Sequence, residues 1–123
     1  MLPLSEELLE IIRSVDSTEI ECTLNLPCGV LVLYSLDTYK KLKNAGFLNF
    51  ILTDKDGTLL GYPIKEIENT PIVVESMEGM KPNASWVTYI CFENNIVYAG
   101  HWDGFASRFD INSMQLIGQE FTK

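Results

Sequence analysis

The last 38 residues of this chain, residues 86–123, hold the pattern that restricts its fold most. Four short runs in this stretch are rich in aromatic and aliphatic residues, and turn-forming residues separate them. The turn formers are Asn94-Asn95, Asp103-Gly104 and residues 112–114. Because such links are too short to contain a crossover helix, the runs cannot lie parallel to one another. The sequence therefore predicts a four-stranded antiparallel meander at the carboxyl end.

The first half of the chain predicts two helices and further strands. Residues 5–15 have apolar residues at helical spacing behind a serine that can cap them, and residues 35–46 predict a shorter helix that ends at a glycine. Residues 18–25 alternate, as in a half-buried strand, while the apolar run 30–35 favours a strand buried on both faces. We expect one α+β domain, residues 1–123, with both helices packed on one face of an antiparallel sheet that is strongly twisted or partly closed.

Charge restricts the partners of the protein. Seventeen acidic residues outnumber nine basic ones, which gives a net charge of −8. A negative field repels phosphate backbones and anionic lipids, so we expect binding to neither nucleic acid nor membrane, whereas a basic protein would be attracted. The amino terminus lacks the basic and then apolar order of a secretory signal, and the apolar runs are shorter than the roughly 18 residues of a membrane span. The cytoplasm is the expected location.

Cysteine and histidine offer few candidates for chemistry. Cys22, Cys28 and Cys91 are odd in number and lack C-x-x-C spacing, so we expect buried, reduced thiols and no metal site or cofactor. The single histidine, His101, has no neighbour in sequence that is well placed for proton transfer, because adjacent strand residues point to opposite faces. Ser107 lies on a neighbouring predicted strand at an undetermined distance. We expect the His101 ring to pack beside a turn or to face water.

Residues 54–58, with the sequence DKDGT, form a second candidate for chemistry. After an apolar run, this motif resembles the opening motif of the haloacid-dehalogenase-type phosphatases. The resemblance implies a magnesium-dependent enzyme in which Asp54 attacks phosphorus and Asp56 transfers protons. That family places its motif after a parallel strand and needs further residues downstream, but here only Asp54, Asp56 and Thr58 match. We therefore predict a β-hairpin with Asp56-Gly57 as a two-residue turn, and keep the phosphatase as the alternative function.

Two acidic segments and one aromatic residue are the candidates for partner binding. Residues 6–21 and 66–78 are acidic, and the second segment contains four glutamates without lysine or arginine, as expected of an irregular docking loop. Trp102 lies beside a predicted turn, where it either folds onto the sheet or is exposed as an interface anchor. The predicted partner-binding residues are Glu66, Glu68, Glu75, Glu78, Trp102 and Asp103.

Residues 94–123 resemble two kinds of protein. An apolar strand followed by a WDG turn is similar to a propeller blade of the WD or quinoprotein type, but residues 1–85 contain no repeat and a propeller needs several blades. The WDG turn at 102–104, the FDI strand end at 109–111 and the terminal residues 121–123 also resemble small bacterial immunity proteins of contact-dependent inhibition and other polymorphic toxin systems.

The second resemblance implies a function without catalysis. Such a cytoplasmic protein binds one toxin domain and blocks its active site, and an acidic chain suits a basic nuclease. The expected partner is thus a basic protein toxin domain, and the expected state of the free protein is a monomer or weak dimer. A generic accessory protein-binding module with another partner remains a further alternative.

Overall fold

The computed structural model describes residues 4–64 and 85–121 of the chain. A short 3-10 helix at Ser17–Glu19 precedes the first strand. In chain order the helices and strands are α1 (Glu6–Arg13), β1 (Ile20–Leu26), β2 (Gly29–Tyr34), α2 (Leu36–Asn44), β3 (Phe50–Thr53), β4 (Leu59–Gly61), β5 (Val87–Glu93), β6 (Ile96–His101), β7 (Phe105–Asp110) and β8 (Leu116–Phe121). Among these described residues, no helix has both the length and the apolar character needed to cross a bilayer.

The strands form two four-stranded sheets, in the orders β1-β2-β3-β4 and β5-β6-β7-β8. Neighbouring strands are antiparallel throughout both sheets. The predicted α+β class, the antiparallel pairing and the carboxyl-terminal meander are therefore confirmed. The strands divide between two sheets, and neither sheet closes on itself within the described residues.

The first sheet lies between the helices and the second sheet. Its central strands are buried on both faces, as the apolar run 30–35 predicted. The core between the two sheets includes Leu31, Leu33, Phe50, Leu52, Val97, Phe109 and Leu116. The core between the first sheet and the helices includes Leu8, Val32, Tyr34, Leu42, Ile51 and Leu59. Successive strand residues alternate between these cores, so both helices pack on one face, as predicted.

Serine side chains start both helices. The Ser5 hydroxyl accepts a hydrogen bond from the backbone N–H of Leu8 at 3.3 Å, and the Ser35 hydroxyl accepts one from the N–H of Thr38 at 3.4 Å. Each bond satisfies a helix N–H that has no partner within the helix. Gly46 follows α2 with a φ of 88°, a conformation that glycine adopts at little cost. The predicted positions of both helices are confirmed.

Within the described residues, two hydrogen-bonded links join the first sheet to the second. The buried Asn49 side chain donates from Nδ2 to the carbonyls of Tyr34, at 2.8 Å, and Val87, at 2.9 Å. Its Oδ1 accepts a hydrogen bond from the Val87 N–H at 2.9 Å. A parallel bridge between Ile64 and Gln115 forms the second link, after the end of β4. These links set where the ends of the two sheets lie relative to each other.

The predicted burial of the cysteines is wrong, since all three thiols are exposed. Cys22 lies on β1, an edge strand with a register shift between Ile20 and Cys22. Cys28 lies in the turn after β1, and Cys91 lies on the solvent face of β5. The predicted half-burial of β1 is limited to Leu24 and Leu26, which contact the core between the sheets. An edge strand has only one neighbour to cover it, so alternation alone does not ensure burial.

Candidate functional site

The turn between β6 and β7 presents Trp102 to solvent. The Gly104 N–H donates to the His101 carbonyl at 3.1 Å, and Gly104 has a φ of 94°, which suits glycine. The Trp102 N–H donates to the Trp86 carbonyl at 2.9 Å, which holds the turn against the start of β5. The Trp102 side chain is 62% exposed. Of its two predicted positions, Trp102 thus adopts the exposed one, and the predicted turn at Asp103-Gly104 is confirmed.

A surface groove of about 530 Å³ lies between this turn and α2. We call it the tryptophan groove, because both tryptophans of the chain line it. Its lining residues are Leu36, Tyr39, Lys43, Ser85, Trp86, Trp102 and Asp103. The three residues from α2 are spaced by three and four positions, which places them on the same side of the helix. The groove is therefore a helix face opposed by a hairpin turn and the residues that precede β5.

The groove combines aromatic surface with charge. The Ser85 hydroxyl donates to Oδ1 of Asp103 at 3.1 Å, which orients that carboxylate. Burial and, secondarily, the negative charge of Asp103 raise the pKa of the Tyr39 phenol. The exposed Lys43 places its Nζ 6.0 Å from the centroid of the Tyr39 ring. Within the groove, one carboxylate and one ammonium group thus accompany three aromatic side chains.

Below the groove, His101 takes part in a buried hydrogen-bond network. Its Nδ1 lies 2.7 Å from the Ser85 carbonyl, and its Nε2 lies 2.6 Å from the Ser107 hydroxyl. Gln119 donates from Nε2 to the same hydroxyl at 2.8 Å. Because a carbonyl can only accept, Nδ1 carries the proton, and Nε2 accepts from Ser107 when the ring is neutral. Burial favours that neutral ring and lowers the pKa of His101, although the Ser85 bond and the charge of Asp103 oppose this shift.

The pairing of His101 with Ser107 has the bond pattern of an activated nucleophile but not its accessibility. Ser107 is 0% exposed and His101 is 4% exposed, so a substrate cannot reach the hydroxyl in this conformation. The His101 ring packs beside a turn, which was one of its two expected positions. Cys91 is opposite Tyr98, on the other face of the sheet from His101. The network therefore supports the wall of the groove, because it fixes the Ser85 backbone.

Residues 54–58 form the turn of the antiparallel β3–β4 hairpin. Oδ1 of Asp54 accepts hydrogen bonds from the N–H groups of Asp56, at 2.8 Å, and Thr58, at 2.9 Å. The Asp54 N–H donates to the Thr58 carbonyl at 2.9 Å, so the loop contains residues 55–57. The predicted hairpin is confirmed, but its predicted two-residue loop is wrong, because Gly57, with a φ of 86°, ends a three-residue loop.

The predicted partner-binding residues divide into two groups. Glu66, Glu68, Glu75 and Glu78 lie outside the described residues. Trp102 and Asp103 are brought together in the tryptophan groove. Sequence reasoning missed the aromatic partners Tyr39 and Trp86. The helical spacing of Tyr39 and Lys43 was a usable signal, but no local pattern indicates that α2 faces the β6–β7 turn. In the part of the chain that the structure describes, no group of three or more His, Cys, Asp or Glu side chains is placed to hold a metal ion.

Comparison with known proteins identifies no relative of this chain. No family model, curated protein or solved structure matches this chain. The geometry of the groove and the charge of the chain are therefore the observations that bear on its function.

Proposed function

We propose that this protein is a toxin-neutralising immunity protein that binds a basic toxin domain and blocks its active site. The observation that carries this proposal is the 62% exposure of Trp102 beside Asp103, in a groove that contains both tryptophans. Large aromatic side chains that are exposed beside other aromatics are typical anchors of protein interfaces. The binding function needs no catalytic group, which agrees with the sealed position of Ser107.

Charge supplies the second part of the mechanism. The net charge of −8 attracts a basic partner and accelerates association. Exposed acidic residues in the described part include Glu6, Glu7, Glu10, Asp16, Glu21, Asp37, Asp56, Glu93 and Glu120. In the proposed complex, acidic side chains, among them the predicted Glu66, Glu68, Glu75 and Glu78, occupy the cationic cleft in which a nuclease holds phosphate. The protein, a monomer or weak dimer, acts in the cytoplasm, where it meets the toxin.

The experiment that tests this proposal is coexpression with a toxin domain encoded by the adjacent reading frame. The expected result is rescue of growth, with an equimolar complex of the purified proteins. Its affinity should fall strongly between about 0.1 M and 1 M salt, as the Debye length falls from about 10 Å to about 3 Å. Failure to rescue growth, or binding that salt leaves unchanged, would contradict the proposal.

A matched pair of variants tests the role of the groove in that complex. Trp102→Ala should weaken binding by about 2 kcal/mol, or roughly 30-fold, as expected for an interface anchor. Tyr89→Ala is the control, because Tyr89 is also an exposed aromatic, at 53%, but does not line the groove. Isothermal titration calorimetry measures both affinities. Equal losses in the two variants would exclude the groove as the anchor site.

The alternative function, a magnesium-dependent phosphatase that uses Asp54 and Asp56, has less support. Oδ1 of Asp54 already accepts two backbone hydrogen bonds in an antiparallel hairpin. Asp54→Asn keeps an oxygen for both bonds but removes the charge, so the fold should survive while any nucleophile is lost. Magnesium-dependent phosphate release that this substitution abolishes would refute the immunity proposal. An accessory binding module would instead bind through the groove without protecting cells from a toxin.

A further inference from the structure

We propose that the tryptophan groove receives one arginine side chain of the partner, with its guanidinium group between the aromatic rings and the Asp103 carboxylate. This inference rests on the proposed function, since it names the side chain by which a basic partner is held. It is nevertheless testable on this protein alone, because the groove itself supplies every group that the inference uses.

The lining of the groove matches the two properties that distinguish arginine from other side chains. A guanidinium group is planar and stacks on aromatic faces, which the exposed Trp102 and the half-buried Trp86 supply, whereas the buried Tyr39 offers little ring surface. It also donates parallel N–H bonds to a carboxylate, which Asp103 supplies. The bond from the Ser85 hydroxyl orients the Asp103 carboxylate. The groove thus presents a stacking surface and an oriented acceptor to the same side chain.

Lys43 places a cation beside the aromatic surface. Its Nζ lies 6.0 Å from the centroid of the Tyr39 ring, at the outer limit for a cation–π interaction. An arriving guanidinium group would meet this ammonium group as a competitor of the same charge. Removal of the Lys43 charge should therefore strengthen the binding of an arginine side chain. An anionic ligand would lose affinity with the same substitution, so the sign of the effect identifies the ligand class.

Supporting charge comes from outside the groove. The net charge of −8 favours a cationic ligand over an anionic one and opposes stacking of nucleic-acid bases, whose phosphates would be repelled. On α2 itself the exposed Asp37 is outnumbered by the exposed Lys40, Lys41 and Lys43, so the negative charge that favours a cation is that of Asp103 and of the whole chain. The overall charge thus favours a positively charged side chain of a protein as the occupant, and Asp103 supplies its acceptor in the groove.

The test is a titration of the isotope-labelled protein with N-acetyl-arginine amide, followed by NMR. Only two indole N–H signals exist, from Trp86 and Trp102, and both residues line the groove. We expect both signals to shift to saturation. N-acetyl-citrulline amide has almost the same shape without the charge, and it should bind at least about tenfold more weakly because it lacks the charge-assisted bonds. Equal binding of the two compounds, or unmoved indole signals, would overturn the inference.

Variants of the groove sharpen the result. Asp103→Asn keeps an acceptor for Ser85 but should lower the affinity for the arginine compound about tenfold, because the charge is lost. Lys43→Met, on an exposed helix face, should raise that affinity and poses little risk to folding. A decrease with Lys43→Met would contradict the inference even if Asp103→Asn failed to fold. Tyr89→Ala should bind like the wild type.

Failure of this inference is distinguishable from failure of the proposed function. If the arginine compound binds but the protein neither binds nor neutralises a basic toxin domain, the groove inference stands and the immunity function is wrong. If the toxin domain binds equally well to the wild type, Trp102→Ala and Asp103→Asn, the function stands and the arginine site is wrong.

Discussion

Replacement of Asn49 by alanine tests how the two sheets are held together. The Asn49 side chain is 0% exposed, and its amide forms three hydrogen bonds, two with Val87 and one with the Tyr34 carbonyl. Alanine would remove all three and withdraw the amide from backbone groups that lie in the protein interior. Since Tyr34 belongs to the first sheet and Val87 to the second, the substitution acts on the junction itself.

The expected loss of stability follows from these bonds. Each protein hydrogen bond contributes about 1 kcal/mol net, and a buried donor or acceptor left without a partner costs about 1–3 kcal/mol. The Val87 N–H is the most affected group, because it loses Oδ1 as its acceptor. We expect Asn49→Ala to lower the free energy of unfolding by about 4 kcal/mol, a large part of the roughly 5–15 kcal/mol of a typical domain.

Urea denaturation followed by circular dichroism measures this loss. With a slope of about 1–3 kcal/mol per molar urea, a loss of about 4 kcal/mol should lower the midpoint by about 1.3–4 M. Asn25→Ala is the control, since Asn25 is exposed on the edge strand β1 and should change stability by less than about 0.5 kcal/mol. Similar midpoints for the two variants would refute the role assigned to the Asn49 amide.

Two further predictions concern the backbone and the buried histidine. Gly29→Ala should lower the free energy of unfolding by about 2–3 kcal/mol, because its new Cβ would lie 2.4 Å from the Thr53 backbone oxygen. Gly46→Ala, whose new Cβ would have open space around it, should cost only about 1 kcal/mol of backbone strain. Equal losses in thermal melts would contradict this. The pKa of His101, the only histidine, is lowered from 6.5 in the folded protein, so the unfolded chain binds this proton first as the pH falls. The stability that the neutral ring contributes is therefore complete above pH 6.5. Below pH 6.5 it should decline by up to about 1.4 kcal/mol per pH unit. His101→Gln, whose amide does not titrate in this pH range, should lack that slope when denaturation is measured at several pH values. An unchanged slope would contradict the assignment of the slope to His101.

The carboxyl-terminal meander could be predicted because its turns have local signatures. Asn94 and Asn95 adopt φ values of 53° and 64°, which asparagine tolerates in a two-residue hairpin turn. Gly104 likewise adopts a φ of 94° after an aspartate. Met114, with a φ of 58°, has no such signature, and only its place in the predicted turn at residues 112–114 indicated a reversal there.

The division into two sheets and the tryptophan groove depend on contacts between distant parts of the chain. The Asn49 amide reaches Val87 across 38 residues, and no local pattern encodes that pairing. Trp102 and Asp103 could be predicted as candidates from the turn to which they belong. That Tyr39 lines the same groove could not be predicted, because no local pattern indicates that α2 faces the β6–β7 turn. The exposure of Cys22 follows from its edge strand, which outweighs the general tendency of cysteine to be buried.

The central claim is that this protein neutralises a basic toxin domain by binding it at the tryptophan groove. The most direct measurement is a titration of the labelled protein with the toxin domain encoded beside it, followed through the indole N–H signals of Trp86 and Trp102. We predict that both signals shift, that the change saturates at an equimolar ratio, and that added salt weakens it. A stable complex in which neither indole signal moves would contradict the claim.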